Sequence, residues 1–207
     1  MRANTRLRPV PHAPELQLHV ADEVMPIWRM TEAALEARGV PPPFWAFAWA
    51  GGQAIARYLL DTPEVAAGRS VLDFAAGGGV GAIAAMRAGA ASALAADVDP
   101  FCAAAVALNA AANGVEVAFT GSDLLDGAPP EVELILAGDI CYERPLAERV
   151  RGWLARAHAR GSTVLIGDPR RSYFDPSGLV QLADYRVPTT RELEDMEIKR
   201  TGVWTFA

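Results

Sequence analysis

Apolar and polar positions along the chain fall into three regimes. Between Ser70 and Ile166, short apolar runs at Ser70 to Phe74, Ala93 to Ala96, Val115 to Phe119, Val132 to Ala137 and Thr163 to Ile166 alternate with longer stretches. Those stretches carry apolar residues at helical spacing: an Ala-rich helix at about Val80 to Arg87, one opening at Pro100, and one from about Pro145 to Ala159. Runs that are apolar throughout, rather than alternating, predict strands buried on both faces. Strand and helix alternating in this way predict a parallel sheet, and right-handed crossovers wind it with helices on both faces.

Upstream the pattern is different. Residues before about 24 carry Pro9, Pro11 and Pro14 and read as an irregular arm; Met25 to Ala37 has the 3.6-residue period of a helix with Pro26 in its first turn. Pro41 to Trp49 brings three prolines and then Phe44, Trp45, Phe47 and Trp49, too aromatic for a solvated linker. A helix from about Gly51 to Leu60 follows. Downstream, a short helix near Pro176 to Ala183 precedes Tyr185 to Arg191 and Ile198 to Phe206, which read as a terminal antiparallel strand pair. The expected fold is therefore α/β: a doubly wound, Rossmann-like, mostly parallel seven-stranded sheet ending in an antiparallel pair. Residues 1–60 form an arm and helices packing over a cofactor site, and 61–207 form the core of one globular domain.

Composition narrows the classes. A chain of 207 residues with 51% apolar and 21% charged residues suits one well-buried core. The net charge of −6 and the lack of a Lys/Arg run argue against nucleic acid as a partner. Arg87, Asp97, Asp99, Glu133 and Asp139 interrupt the apolar stretches before any reaches membrane-spanning length, so a soluble, cytoplasmic protein is expected. Cys102 and Cys141 each lie in an apolar run, which suits buried thiols in a reducing compartment. His12, His19 and His158 share no metal-ligand spacing with one another or with a cysteine pair, and no metal is expected.

The candidate chemistry begins where the first core strand ends. Val71-Leu72-Asp73-Phe74-Ala75-Ala76-Gly77-Gly78-Gly79-Val80-Gly81 is a strand running through a glycine-dense turn into a helix, where a ligand can reach backbone amides. A tight turn with close helix–sheet packing and no ligand gives the same pattern. Asp97 falls 18 residues after Gly79, at the end of the next strand, where a carboxylate can accept both hydroxyls of a ribose. That placement suits a dinucleotide as well as other nucleosides. The glycine spacing separates them: Asp-x-Ala-x-Gly-x-Gly from Asp73 to Gly79 is not the Gly-x-Gly-x-x-Gly of dinucleotide folds.

This segment resembles motif I of class I S-adenosylmethionine-dependent methyltransferases, with Ala75 in place of the first glycine; alanine is the mildest such replacement where φ is negative. The resemblance makes S-adenosylmethionine the expected cofactor and assigns Asp73, Ala75, Gly77, Gly79 and Asp97 to it. It also gives Asp123, in Gly121-Ser122-Asp123, the adenine amino group, with a surface aspartate as the alternative. Asp139-Ile140-Cys141-Tyr142 resembles the Asp-x-x-Tyr signature of seven-β-strand enzymes that mostly methylate protein lysines. Pro43 to Ala54, motif I and Gly138 to Glu143 together resemble the electron transfer flavoprotein β-subunit lysine methyltransferases, as do Gly167-Asp168-Pro169-Arg170 and Thr201-Gly202-Val203-Trp204.

The resemblance implies that Trp49 and Gln53 border the cofactor, whereas Phe44 and Phe47 read as core packing. It further implies a protein substrate, the electron transfer flavoprotein β-subunit. Asp139, Tyr142 and Glu143 are then the expected catalytic residues, Asp139 also bordering the cofactor; Asp139 as a helix cap is the alternative. Because a carboxylate raises the pKa of a neighbouring amine, Asp139 suits positioning the acceptor better than strong base catalysis. Arg170 and Arg171 face either the site or solvent. Other acceptors on the same scaffold, a ribosomal protein or a small-molecule amine, stay open, as does a nicotinamide-dependent oxidoreductase, which the glycine spacing disfavours.

Overall fold

In the computed structural model, residues 5–21, 42–189 and 196–207 are described. The helix expected at Met25 to Ala37 lies outside them. Chain order runs from a hairpin, β1 (Arg6–Val10) and β2 (Ala13–Val20), to α1 (Ala50–Asp61), β3 (Ser70–Phe74), α2 (Val80–Arg87), β4 (Ser92–Ala96), α3 (Pro100–Ala112) and β5 (Ala118–Thr120). It continues through β6 (Leu134–Gly138), α4 (Arg144–Ala159), β7 (Thr163–Asp168), β8 (Leu179–Pro188) and β9 (Ile198–Phe206). Strands β3 to β9 form one sheet in the order β5-β4-β3-β6-β7-β9-β8. The first five in that order are parallel, and β9 runs antiparallel to both β7 and β8, as expected for the seven-stranded fold.

Successive residues of a strand point to opposite faces, and here each face has its own core. Val71 joins Ile55, Leu59, Ile83, Val106, Leu134, Leu136 and Leu165 under α1, α2 and α3. Leu72 and Phe74 turn the other way, onto Ile135, Val164, Ile166 and the α4 residues Val150, Trp153 and Leu154. Strand order reverses between β3 and β6, so the carboxyl ends of these two neighbours splay their following loops apart, which is where such sheets leave a crevice.

Two elements differ from the sequence expectation. The described part of the arm, Arg6 to Val20, is a hairpin rather than irregular: Val10, Ala13, Leu16 and Leu18 are buried, and Leu16 and Leu18 carry the period of two. Its three prolines are tolerated because the strands form a separate two-stranded sheet, where ladder donors are few. Asn113 holds the hairpin to α3, its Oδ1 accepting from the Gln17 amide at 2.9 Å and its Nδ2 donating to the Gln17 carbonyl at 2.6 Å. The second difference is that Pro176 to Ala183 is no helix. Strand β8 already begins at Leu179, and its alternately shielded and exposed residues mark a sheet edge with one face covered.

Candidate functional site

A cavity of about 580 Å³ opens at the carboxyl ends of β3, β4 and β6. Its floor is the β3–α2 turn. There Ala75, Gly77 and Gly79 all have positive φ, at 53°, 51° and 79°. The negative φ expected of Ala75 is therefore corrected: the backbone is left-handed at this position, and the alanine carries strain that glycine would not. Gly78 is fixed by packing instead, since a Cβ there would lie 3.0 Å from the Trp45 carbonyl. From beneath, the fully buried Asn109 donates to the Gly78 carbonyl at 2.8 Å and accepts from the His19 amide at 2.7 Å, tying the turn to the hairpin. Asn109 was not singled out from sequence, because its partners lie 31 and 90 residues away.

The acidic residues are brought together here. Asp73 is buried and accepts from the Ala82 amide at 2.8 Å. Loss of hydration pushes its pKa up to about 7, despite opposing bonds from the Ala82 and Gly81 amides, and the nearby Asp97 charge adds to the rise. Asp97 accepts from the Gly77 amide at 2.8 Å and the Asp99 amide at 3.0 Å, so the second strand's acid grips the glycine turn directly. Asp123 caps a short 3-10 turn through the Leu125 amide at 2.9 Å and lies 3.6 Å from Arg149. It thus fits the surface-aspartate alternative while also lining the cavity.

Asp139 closes the opposite wall. It has φ of 58° and follows Gly138 at the end of β6. Its Oδ2 accepts from the first-turn amides of Gly51 at 2.6 Å and Gly52 at 3.1 Å, so it caps α1, whose own N-cap residue, Trp49, supplies no side-chain bond. Its Oδ1 pairs with Arg171, 2.6 Å from Nη2 and 3.2 Å from Nε. The capping alternative was right in kind but not in place, for the helix capped is α1 rather than the one after β6. The Arg171 guanidinium also lies 5.8 Å from the Trp49 ring centroid. Tyr142 and Phe44, both partly exposed, line the same mouth with their rings 5.9 Å apart. Phe44 and Phe47 therefore border the cavity instead of serving the core alone.

Two expected site residues stand elsewhere. Gln53 is buried outside the cavity lining, where its amide donates to the Ala48 carbonyl at 2.7 Å and accepts from the His12 amide at 3.0 Å. It ties α1 to the hairpin through His12, and its Nε2 also reaches the Pro188 carbonyl at 3.4 Å. Glu143 sits at the N-cap position of α4, exposed and outside the lining. Arg171, by contrast, emerges as a site residue. Its sequence context left it between site and solvent.

These features fit S-adenosylmethionine: a glycine turn whose backbone lines the cavity, carboxylates at the ends of two neighbouring strands, and an aromatic, acidic mouth for a sulfonium cation. A model of the ribosomal protein L11 methyltransferase family matches residues 54–141. The electron transfer flavoprotein beta subunit lysine methyltransferase of Rattus norvegicus is 40% identical over 170 residues, covering 79% of this chain and 67% of its own. That of Xenopus laevis is 34% identical over 202 residues, 95% and 81% of the two chains. This chain belongs to the electron transfer flavoprotein β-subunit lysine methyltransferase family.

It is accordingly an S-adenosylmethionine-dependent methyltransferase. The fold agrees: the ribosomal protein L11 methylase of Lactobacillus delbrueckii subsp. bulgaricus superposes with a TM-score of 0.54 at 21% identity, covering 77% of this chain and 79% of its own. Magnesium protoporphyrin IX methyltransferase from Synechocystis PCC 6803, solved with bound S-adenosylmethionine, gives 0.54 at 16% identity over 75% and 78%. Among the described residues no helix is long and apolar enough to cross a membrane, and no cluster of His, Cys, Asp and Glu could hold a metal ion.

Proposed function

We propose that the acceptor is a lysine side chain of the electron transfer flavoprotein β-subunit. The names of the Rattus and Xenopus relatives support the substrate. The observation that carries the reading is the mouth itself, where Asp139, Tyr142, Trp49 and Phe44 surround the opening toward the glycine turn. In this reading Asp97 takes the ribose hydroxyls, Asp123 the adenine amino group, and the Ala75 to Gly79 backbone with Trp49 borders the rest of the cofactor. Asp73 lines the same pocket and acts by holding the first amides of α2 in place.

The cofactor supplies an electrophilic methyl group, and transfer forms an N–C bond as the C–S bond breaks. The chain's task is to align a neutral amine and exclude water. Aromatic faces at Tyr142, Phe44 and Trp49 suit an ammonium on its way in, and Asp139 orients it. Two free, buried thiols, Cys102 and Cys141, support placing the protein in a reducing cytoplasm. The test is incubation with labelled S-adenosylmethionine and purified electron transfer flavoprotein, followed by mass spectrometry of the β-subunit. Methylated lysine is expected; label on another lysate protein with none on the β-subunit refutes the substrate.

A further inference from the structure

Asp139 poses a chemical difficulty for an enzyme that must attack with a neutral amine. A bare carboxylate beside a lysine ammonium stabilises the protonated form, and a lysine already begins near pKa 10.4. The structure removes that difficulty with a second charge. Arg171 lines the cavity with its guanidinium between Asp139, 2.6 Å away, and the Trp49 ring, and both ionic side chains are largely shielded, at 10% and 19% exposed. Its backbone is anchored independently, the Arg171 amide donating to Asp168 at 2.7 Å just past the end of β7. Arg170, its predecessor, has φ of 62°, so the chain takes a left-handed step immediately before Arg171.

We propose that Arg171 is a positioning residue for methyl transfer: it holds Asp139 across the mouth and offsets its charge, so that the acceptor amine arrives beside an ion pair rather than beside a bare carboxylate. This rests on the lysine acceptor proposed above. Planarity matters, because the guanidinium reaches one carboxylate oxygen through two nitrogens while its face meets an indole, which an ammonium cannot do at once. The consequence is an acceptor that loses its proton more readily than it would with Asp139 alone.

Neighbouring groups leave a usable pH window. Asp139 and Asp168 stand at the β6 and β7 ends, Cys141 and Tyr142 follow β6, and Arg151 of α4, Glu143, Asp97 just past β4 and Arg171 itself act on those two. Burial pushes Asp168 up to about 6 and Cys141 up to about 12, and raises Tyr142 above its ordinary value. Asp73, across the cavity, sits at about 7. A rising limb in the rate between pH 7.5 and 9.5 is assigned to the amine by its movement in the Arg171 variants.

The experiment compares wild type, Arg171→Gln and Arg171→Lys, using electron transfer flavoprotein as acceptor. Rates are measured across that window, S-adenosylhomocysteine affinity by calorimetry, and folding by thermal melting. Removing one charge at this range should move the rising limb of Arg171→Gln up by about one pH unit. Turnover then falls about tenfold at pH 7.5 and converges toward wild type at high pH. Arg171→Lys, which keeps the charge but not the planar fork, restores the limb only in part, and S-adenosylhomocysteine affinity stays within about threefold. An unmoved limb with a uniformly lower rate reduces Arg171 to a structural residue and overturns the proposal. A tenfold or greater loss of S-adenosylhomocysteine affinity overturns it differently, by making Arg171 an anchor for the cofactor's carboxylate. If wild type transfers no methyl group to lysine, the acceptor reading fails and takes the inference with it; if wild type transfers and the limb is unmoved, the inference alone fails.

Discussion

Among the described residues, those with positive φ other than glycine, Ala75, Asp139 and Arg170, all lie just past strand ends, and the first two line the cavity. Left-handed backbone costs about 1–2 kcal/mol per non-glycine residue, and it persists where the surroundings over-determine it. At Ala75 the penalty is removable. Ala75→Gly should raise unfolding free energy by up to about 1 kcal/mol, the relief being partly offset by the greater freedom of glycine in the unfolded chain; a loss of stability in urea titration would mean that the alanine methyl has a packing role. At Asp139 strain serves the pairing. Asp139→Ala removes this carboxylate from Arg171 and from two α1 amides, so we expect turnover to collapse and stability to fall by about 3 kcal/mol. Asp97→Ala should mainly weaken S-adenosylhomocysteine binding, and calorimetry showing the opposite ranking would exchange the two roles.

Asp168 allows a pH test. It is fully buried, and burial pushes its pKa up to about 6, above the ordinary carboxylate value of 3.8. Over that interval the folded state keeps a proton that the unfolded state releases, so stability is greatest below about pH 4 and is lost as pH rises through 6. The shift corresponds to at most about 3 kcal/mol. Asp168→Asn should remove that part of the decline between pH 4 and 7 in urea titrations. Parallel wild-type and variant curves would show that Asp168 does not titrate there.

At the scale of elements, α1 owes its place to glycine. A Cβ on Gly51 would lie 2.1 Å from the Gly167 carbonyl and 2.6 Å from Asp139 Oδ2, and one on Gly138 would lie 2.8 Å from the Gly52 amide. The helix start thus presses directly on the ends of β6 and β7, which brings its amides within reach of Asp139. Gly51→Ala should cost more than about 2 kcal/mol and disturb the site, since only backbone can yield. Gly114→Ala, with φ of 66° and open space around it, should cost only the left-handed penalty of about 1–2 kcal/mol. Similar losses in both would place the Gly51 contact further apart than described.

Elements with a strong period were legible in the sequence: β3, α2, α4 and β9 fall within a residue of their expected ends. The weaker cases have physical reasons. β1 and β2 were hidden behind prolines, although Leu16 and Leu18 alternate, and β8 lies at a sheet edge where apolar residues fall on both its shielded and its exposed face and blur the period of two. Within the site, Asp73, Gly77, Asp97 and Asp139 announce themselves by lying at strand ends. Gln53 and Glu143 lie outside the cavity lining, and Arg171 and Asn109 gain their contacts only in the fold, because what a side chain meets across 30 or more residues is written in the packing and not in local spacing.

For the molecule as a whole, the hairpin, the aromatic segment and three helices converge on one side of the sheet, and the cofactor cavity lies at the end of that assembly. The glycine turn touches all of it: Asn109 links Gly78 to the hairpin, Trp45 packs over Gly78, and Asp97 holds Gly77. A ligand seated there binds only the assembled state, so its binding energy appears as global stability. At a hundredfold excess over its Kd, S-adenosylhomocysteine should add about 2.7 kcal/mol. For a domain of this size, that corresponds to a rise of roughly 5–10 °C in the melting temperature. NAD at the same concentration should leave the melting temperature unchanged, since a turn spaced Asp-x-Ala-x-Gly-x-Gly lacks the glycine pattern that admits a pyrophosphate. Stabilisation by NAD without any by S-adenosylhomocysteine would reverse that reading of the turn. Asp97→Ala should abolish most of the S-adenosylhomocysteine shift while Arg171→Gln preserves it, separating the group that holds the cofactor from the one that prepares the acceptor.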